Sequence, residues 1–266
     1  MSLTGHLDKS CTGQLFFFMR IYHQNLLAGA AETRDTAVII DVFRAFTCAS
    51  ILLHYGVSRL LVEEDPAKVL ELKKKHGYLA LGEIGGVMVE GFDLGNSPSE
   101  IVTRGRDFFQ GRIVVQRTSA GVRGVFAAVK NCTAVYAGSF TTAMALAKLL
   151  KKENHPEIHL VAMGENGQRP MPEDEQCAAY IHHLLDPDIP YNHLEALGII
   201  LAHESAKKFL RGDKPHFPPS DVTFCLSADL FNMAMKVIPK EDGLEIISVF
   251  PECERQWPCS LAKKYL

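Results

Sequence analysis

Short apolar runs alternate with amphipathic helical stretches along most of this chain, and that alternation restricts the fold more than any other feature. Val38-Ile39-Ile40 is a buried-strand run, and Ala45 to His54 continues with apolar residues at helical spacing. Leu60-Leu61-Val62 forms the next strand, Pro66 opens a helix that runs to about His76, and Tyr78 to Leu81 returns as a strand. Two further rounds follow: Ile113 to Val115, a helix near Gly124 to Val129 and Val135-Tyr136; then a helix from Thr141 to Lys152 and the strand Ile158 to Met163. Strands separated by helices of this length need crossover connections, which demand a sheet covered on both faces. The expectation is therefore α/β, a three-layer α/β/α fold with a mixed, largely parallel sheet. Further on, Tyr191 to Arg211 reads as helical and amphipathic, Pro215 to Ser220 breaks the chain, and Leu244 to Phe250 returns as a strand that completes the sheet or a small lobe. Residues 1–18 read as a poorly ordered leader, and 19–266 as a single α/β domain, whole or in two sub-lobes.

Charge narrows the partners. The chain has 28 basic against 31 acidic side chains and a formal net charge of −3, so it has no global positive field to recruit nucleic acid or an anionic membrane surface. No apolar stretch approaches the roughly 20 residues of a membrane helix, and Leu15 to Met19 lacks the pattern of a secretory signal. The seven cysteines are scattered and odd in number, with no C-x-x-C pair, which points to a reducing compartment. Cys253 and Cys259 read as thiols, like the others. A cytoplasmic protein with a small-molecule ligand is expected.

In a fold of this class ligands gather at the carboxyl ends of the strands. Asp41 directly follows the first strand, and Arg44 and Thr47 lie at the start of the next helix; this group either meets an anion or is a capping acid paired with a neighbouring guanidinium. The segment from Gly82 to Pro98 holds five glycines, several acids and an Asn96-Ser97-Pro98 helix start, a long permissive loop of the kind that carries function. The run from Arg117 to Gly124 combines hydroxyls, glycines and two arginines before a helix, a plausible amide cradle that lacks Walker spacing. Gly164 to Arg169 leads to Pro172-Glu173-Asp174-Glu175 at a helix start. Glu173 and Asp174, with Asp41, Glu83 and Asp93, supply oxygen ligands from several strand ends, as a hard cation such as Mg2+ requires; none of these loops carries the histidines that zinc favours.

Five of these segments, in this order, resemble the 2-phosphosulfolactate phosphatase family: Ile40 to Thr47, Gly82 to Gly86, Glu90 to Pro98, Ser119 to Arg123 and Pro172 to Ala178. The ordered set spans about Met19 to Phe250, and Asp221 to Leu226 resembles the family's C-terminal motif. The resemblance implies an α/β/α fold, a homodimer, and a magnesium-dependent acid phosphatase that converts 2-phosphosulfolactate to sulfolactate and phosphate, a step in coenzyme M biosynthesis. Ile84 stands where many relatives carry Arg, and Ala120 and Val122 replace an Asn and a Thr of the common loop, which bears on how a sulfonate is held.

On this reading Mg2+ is held by some of Glu83, Asp93, Glu173 and Asp174, and neutralises phosphoryl oxygens. Arg44 and Arg123 clamp the remaining anionic groups, and Asn96, Ser97, Ser119 and Gly121 bind the substrate. Asp41 is either a nucleophile that forms an aspartyl-phosphate or a metal ligand that orients water. Phe43 stands two places after Asp41, so the two-aspartate motif of haloacid-dehalogenase phosphatases is missing, and no Cys has an Arg six positions later in a Gly-rich loop. Two other functions fit the same loops: phosphatase chemistry on another small 2-hydroxy-acid phosphate, and non-catalytic binding of an organic phosphate or sulfonate.

Overall fold

A computed structural model gives the fold of residues 19–251. The leader read over 1–18 and the thiols of Cys11, Cys253 and Cys259 lie outside the described residues.

In chain order the elements are β1 (Arg20–Asn25), α1 (Leu26–Glu32), β2 (Asp35–Ile40), α2 (Ala45–His54), β3 (Arg59–Val62), α3 (Pro66–His76), β4 (Leu79–Ile84), β5 (Val87–Met88), α4 (Pro98–Arg104), α5 (Arg106–Phe109) and β6 (Ile113–Arg117). There follow α6 (Gly121–Ala128), β7 (Cys132–Gly138), a 3-10 turn (Phe140–Thr142), α7 (Ala143–Glu153), β8 (Glu157–Ala162), α8 (Pro172–Leu185), α9 (His193–Ala202), α10 (Glu204–Leu210), α11 (Ser220–Leu226), β9 (Ala234–Lys240) and β10 (Gly243–Val249). Local chemistry explains where they stop and start. At α3, Asp65 accepts from the Ala67 N–H, Pro66 sits in the first turn, and Gly77 ends the helix in the left-handed region at φ 70°. The stretch from Tyr191 to Arg211, expected to be helical, is so in two pieces: His203 separates them and caps α10 by accepting from the Ser205 N–H at 3.1 Å.

The ten strands of the described residues form one mixed sheet, in the order β1-β8-β2-β7-β9-β10-β3-β6-β4-β5. β1, β8, β2 and β7 are mutually parallel neighbours, and so are β3, β6 and β4. Between these halves the β9–β10 hairpin is antiparallel on both sides, to β7 and to β3, so the halves run in opposite senses. The strand expected near Leu244 thus completes the sheet from its middle.

Side chains of successive strand residues enter cores on opposite faces, as a period of two requires. Ala37 and Ile39 of β2 and Val135 and Ala137 of β7 pack with α1, α2 and α6, whereas Val38, Ile40, Ala134 and Tyr136 face α7 and α8. On the second half, Leu79, Leu81 and Val114 join the first core, while Ala80, Val115 and Leu61 pack with Val69 of α3. The layers are helix, sheet, helix, with α2 so central that every residue from Ala45 to Leu52 is buried.

Five steps separate β2 from β6 in the sheet, and a twist of roughly 20–25° per step accumulates to on the order of 100°. That rotation brings the two halves closer in direction, and one cleft is lined by residues from the ends of strands in both. Gly82, at the end of β4, lies in the region that favours glycine, at φ 155°, and a Cβ there would sit 2.2 Å from the Arg117 carbonyl oxygen of β6. Backbone would have to move against backbone. Gly82→Ala is expected to cost about 2–4 kcal/mol, measured by urea unfolding; a loss under about 1 kcal/mol would show that β4 and β6 separate freely at this end.

Candidate active site

The segments that follow β2, β4, β6 and β8 surround a cleft of about 230 Å³ whose lining includes Asp41, Glu83, Glu173 and Asp174. Backbone amides fix these carboxylates. Asp41 Oδ1 accepts from the Ala45 N–H at 3.2 Å, and Oδ2 accepts from the Gly121 N–H at 2.8 Å. A Cβ at Gly121 would stand 2.8 Å from that same Oδ2, so the close approach needs glycine. Glu83 Oε1 accepts from the Ser119 N–H at 2.6 Å, and its Oε2 from the Gly86 N–H at 2.6 Å and the Ser119 hydroxyl at 3.1 Å. Asp174 receives the Val42 N–H at 2.8 Å and the Gly164 N–H at 2.7 Å, which ties the ends of β2 and β8 to the first turn of α8. Glu173 Oε2 accepts from the Ser205 hydroxyl of α10 at 2.6 Å. The amides of Ser119 and Gly121, expected to cradle substrate, thus point at carboxylates instead.

Burial and crowding perturb these acids in one direction. Burial pushes Asp41 up to about 6 against the pull of its two amide bonds, and Glu83 and Glu173 add to the rise. Burial likewise raises Glu173, and it raises Asp174 well above the usual carboxylate range, reinforced by Asp41 and Glu173. In donor chemistry this set fits a hard cation: several carboxylate oxygens, mutually repelling, in one small cleft. Among the described residues, no group of three or more His, Cys, Asp or Glu side chains is arranged around a common point to hold a metal ion.

Arg44 also lines the cleft, but its guanidinium is committed elsewhere. Nη1 donates to Asp221 Oδ2 at 2.9 Å and to the His216 carbonyl at 2.8 Å, and Nη2 donates to the Gly86 carbonyl at 3.1 Å. The rings of Phe209 and Phe217 flank it, with centroids 5.3 and 5.5 Å away, and its side chain is 4% exposed. Arg44 therefore braces the cleft wall and does not present a clamp to an anion. Its partner is Asp221, not Asp41.

The remaining expected residues divide. Asn96 lines the cleft and accepts from Gln116 Nε2 at 3.2 Å. Ser97 does not line it; its hydroxyl caps α4 and donates to Asp221 Oδ1 at 2.8 Å. Asp93 is outside the site: Lys73 Nζ at 2.8 Å and the Ala80 N–H at 2.9 Å occupy its two oxygens, which makes it a strut beside β4 and no ligand of the cleft. Arg123 stands beyond the lining, 3.5 Å from the Asn166 carbonyl. Ile84 points away, 52% exposed on the β4–β5 hairpin, while Ala120 lines the cleft and Val122 is core.

Sequence reasoning missed Lys208, Asp221 and the Phe43, Phe209 and Phe217 wall. Asp221 lay within a recognised motif, but only the fold reveals that it gathers Arg44, Ser97 and Ser99. Lys208 carries no local signal at all.

A profile described as 2-phosphosulpholactate phosphatase matches residues 22–239. A relative from Bacillus subtilis named "Probable 2-phosphosulfolactate phosphatase" is 30% identical over 224 residues, 83% of this chain and 92% of the relative. A relative of the same name from Thermotoga petrophila is 28% identical over 81% of this chain and 93% of its own, and one from Carboxydothermus hydrogenoformans is 35% identical over 58% of this chain and 62% of its own. Among the described residues, no helix is long and apolar enough to cross a membrane.

Two outcomes are expected. Removing one partner of a buried ion pair leaves the other uncompensated, so Arg44→Ala should lose about 3–5 kcal/mol in urea unfolding; unchanged stability with weakened ligand binding would instead make Arg44 a substrate clamp. Asp41 has a folded pKa of about 6, above its ordinary 3.8. A raised carboxyl pKa means that its stabilising contribution is complete below the unfolded value and is lost as pH rises through the folded one. The stability of Asp41→Asn relative to wild type should therefore climb by about 1.4 kcal/mol per pH unit between about pH 4 and 6 and level off above, in metal-free buffer. A flat difference across that window would show that Asp41 titrates normally.

Proposed function

The chain belongs to the 2-phosphosulfolactate phosphatase family, and on that premise we propose that it hydrolyses 2-phosphosulfolactate, or a close 2-hydroxy-acid phosphate, to the free hydroxy acid and phosphate with magnesium as cofactor. The observation that carries this reading is the meeting of Asp41, Glu83, Glu173 and Asp174, from three separate segments, in one cleft. A pure anion binder gains nothing from four carboxylates at its ligand site, whereas phosphate ester hydrolysis needs a base and ligands for a charge-neutralising cation.

Glu83, Glu173 and Asp174 offer the carboxylate oxygens that suit magnesium, which would supply positive charge against the phosphoryl oxygens; since no three of the described acids converge on one point, the ion would have to draw them together. Asp41 is the residue left to handle water. Held by the Ala45 and Gly121 amides at the head of the buried helix α2, it has a fixed direction into the cleft. In the proposed step a water oxygen bonds to phosphorus, the water proton passes to an Asp41 oxygen, and the ester P–O bond breaks with its electron pair on the leaving alkoxide, which takes up that proton from Asp41 and so restores the carboxylate. Burial keeps that carboxyl near neutrality in its proton affinity, which suits a general base. The Phe43, Phe209 and Phe217 wall limits water around the reacting group. The cleft volume suits a molecule of a few carbons.

The test is phosphate release from racemic 2-phosphosulfolactate beside 2-phosphoglycolate and phospholactate, with magnesium and with a chelator. Release from the sulfonate is expected, lost on chelation, and reduced by at least about 10²–10⁴-fold in Asp41→Asn. Release that survives chelation would remove the metal from the mechanism. Faster release from the carboxylate esters would reassign the substrate, and detectable binding without release from any of them would make the protein a binder.

A further inference from the structure

Only two cationic side chains, Arg44 and Lys208, line the cleft among the described residues. Arg44 is braced in the wall and nearly inaccessible. Lys208 differs on every count. Its side chain is 29% exposed, its ion pair with Glu165 Oε1 is a long 3.6 Å, and it makes no hydrogen bond among the described residues. Its ammonium lies over the faces of Phe217 and Phe209, 5.0 and 5.6 Å from the ring centroids. Those rings also flank the guanidinium of Arg44, so the position of Lys208 is set by the same brace that shapes the wall. One turn earlier on α10, Ser205 hydrogen-bonds Glu173, which fixes Lys208 to the carboxylate floor through its own helix.

The acids and the base of the cleft differ in depth: Asp41, Glu173 and Asp174 are 6%, 4% and 3% exposed, whereas the Lys208 side chain is 29% exposed. We infer that Lys208 is a specificity-determining residue that binds the second acidic group of the substrate, the sulfonate or carboxylate on its carbon skeleton, while the phosphoryl group lies on the floor. The long contact to Glu165 is the one such a group replaces. This places anion recognition on α10, in a segment where no site motif was read, and explains how the cleft accepts an acidic ester although Arg44 is engaged and Ile84 faces away. The inference rests on the phosphatase reading above.

The experiment compares wild type, Lys208→Gln and Lys208→Arg by steady-state kinetics on 2-phosphosulfolactate and on isopropyl phosphate, which has no second acid, together with calorimetric binding of sulfolactate. Lys208→Gln is expected to lower the ratio of kcat/KM for the acidic ester over the neutral one by roughly tenfold or more, through KM, and to weaken sulfolactate binding in parallel. Lys208→Arg should recover most of both. An unchanged ratio, or an equal loss of kcat on both esters, would overturn the assignment and move Lys208 to the phosphoryl group or out of the site. If wild type releases phosphate from neither ester the phosphatase reading fails, and the sulfolactate titration alone then decides the role of Lys208: weakened binding in Lys208→Gln upholds it, and unaltered binding ends it.

Discussion

Buried carboxylates tied down by backbone amides are the interaction on which the rest of this molecule depends. The Gly121, Ser119, Gly86, Val42 and Gly164 N–H groups all end on Asp41, Glu83 or Asp174. Each such bond to a charged acceptor is worth about 1.5–3 kcal/mol, which offsets part of the desolvation that burial imposes. They also act as stitches: the bond from Gly121 to Asp41 joins the loop after β6 to the end of β2, across the whole width of the central hairpin. The acids that make the site therefore also hold its loops in register, and the raised proton affinity of Asp41 and Asp174 records first their burial and then their nearness to one another and to Glu173.

Around this network the wall is organised by a different pairing. Asp221 of α11 collects the guanidinium of Arg44, the hydroxyls of Ser97 and Ser99 and the Ser99 amide, all within 3.0 Å. It thereby attaches the start of α4 and the head of α2 to α11, and Arg44 carries the connection onward to Gly86 on the β4–β5 hairpin. A buried Arg–Asp pair is weak evidence for stability by itself. Here its use is positional, because it decides where the phenylalanine rings and the hairpin stand relative to the floor.

The repeat of strand and helix was legible because period-two and period-3.6 patterns are local properties: Val38 and Ile40 belong to one core and Ile39 to the other, as the run of three predicted. The loop residues Asp41, Glu83, Glu173 and Asp174 were legible for a similar reason, since strand ends in such folds collect at one rim. What was not legible is direction. Asp93 looks like the other acids in sequence, and only the register of β4 shows that Lys73 and the Ala80 amide hold it beside the strand. Arg44 looks like a phosphate clamp until Asp221, far along the chain, takes its charge. Lys208 sits on an ordinary amphipathic helix, and nothing in its neighbourhood along the chain distinguishes it from Lys207. The position of β9–β10 was hidden because pairing partners that distant leave no trace in either segment.

That hairpin has a consequence for how the molecule comes into being. Among the described residues β9 and β10 are the last strands to be synthesised, yet β7 reaches β3 only through them. While the chain grows at about 5–20 residues per second, β1 to β8 emerge with every acid of the floor already made, but as two sheets with facing, unpaired inner edges. Leu60 waits for Ile246, and Val135 for Val237. Such distant partners make closure a late event, and until it happens the exposed edges call for shelter against pairing with other chains. The cleft, drawn from both halves, has no existence before that closing stroke: a nascent chain halted short of Ala234 would hold all the chemistry and no place to perform it.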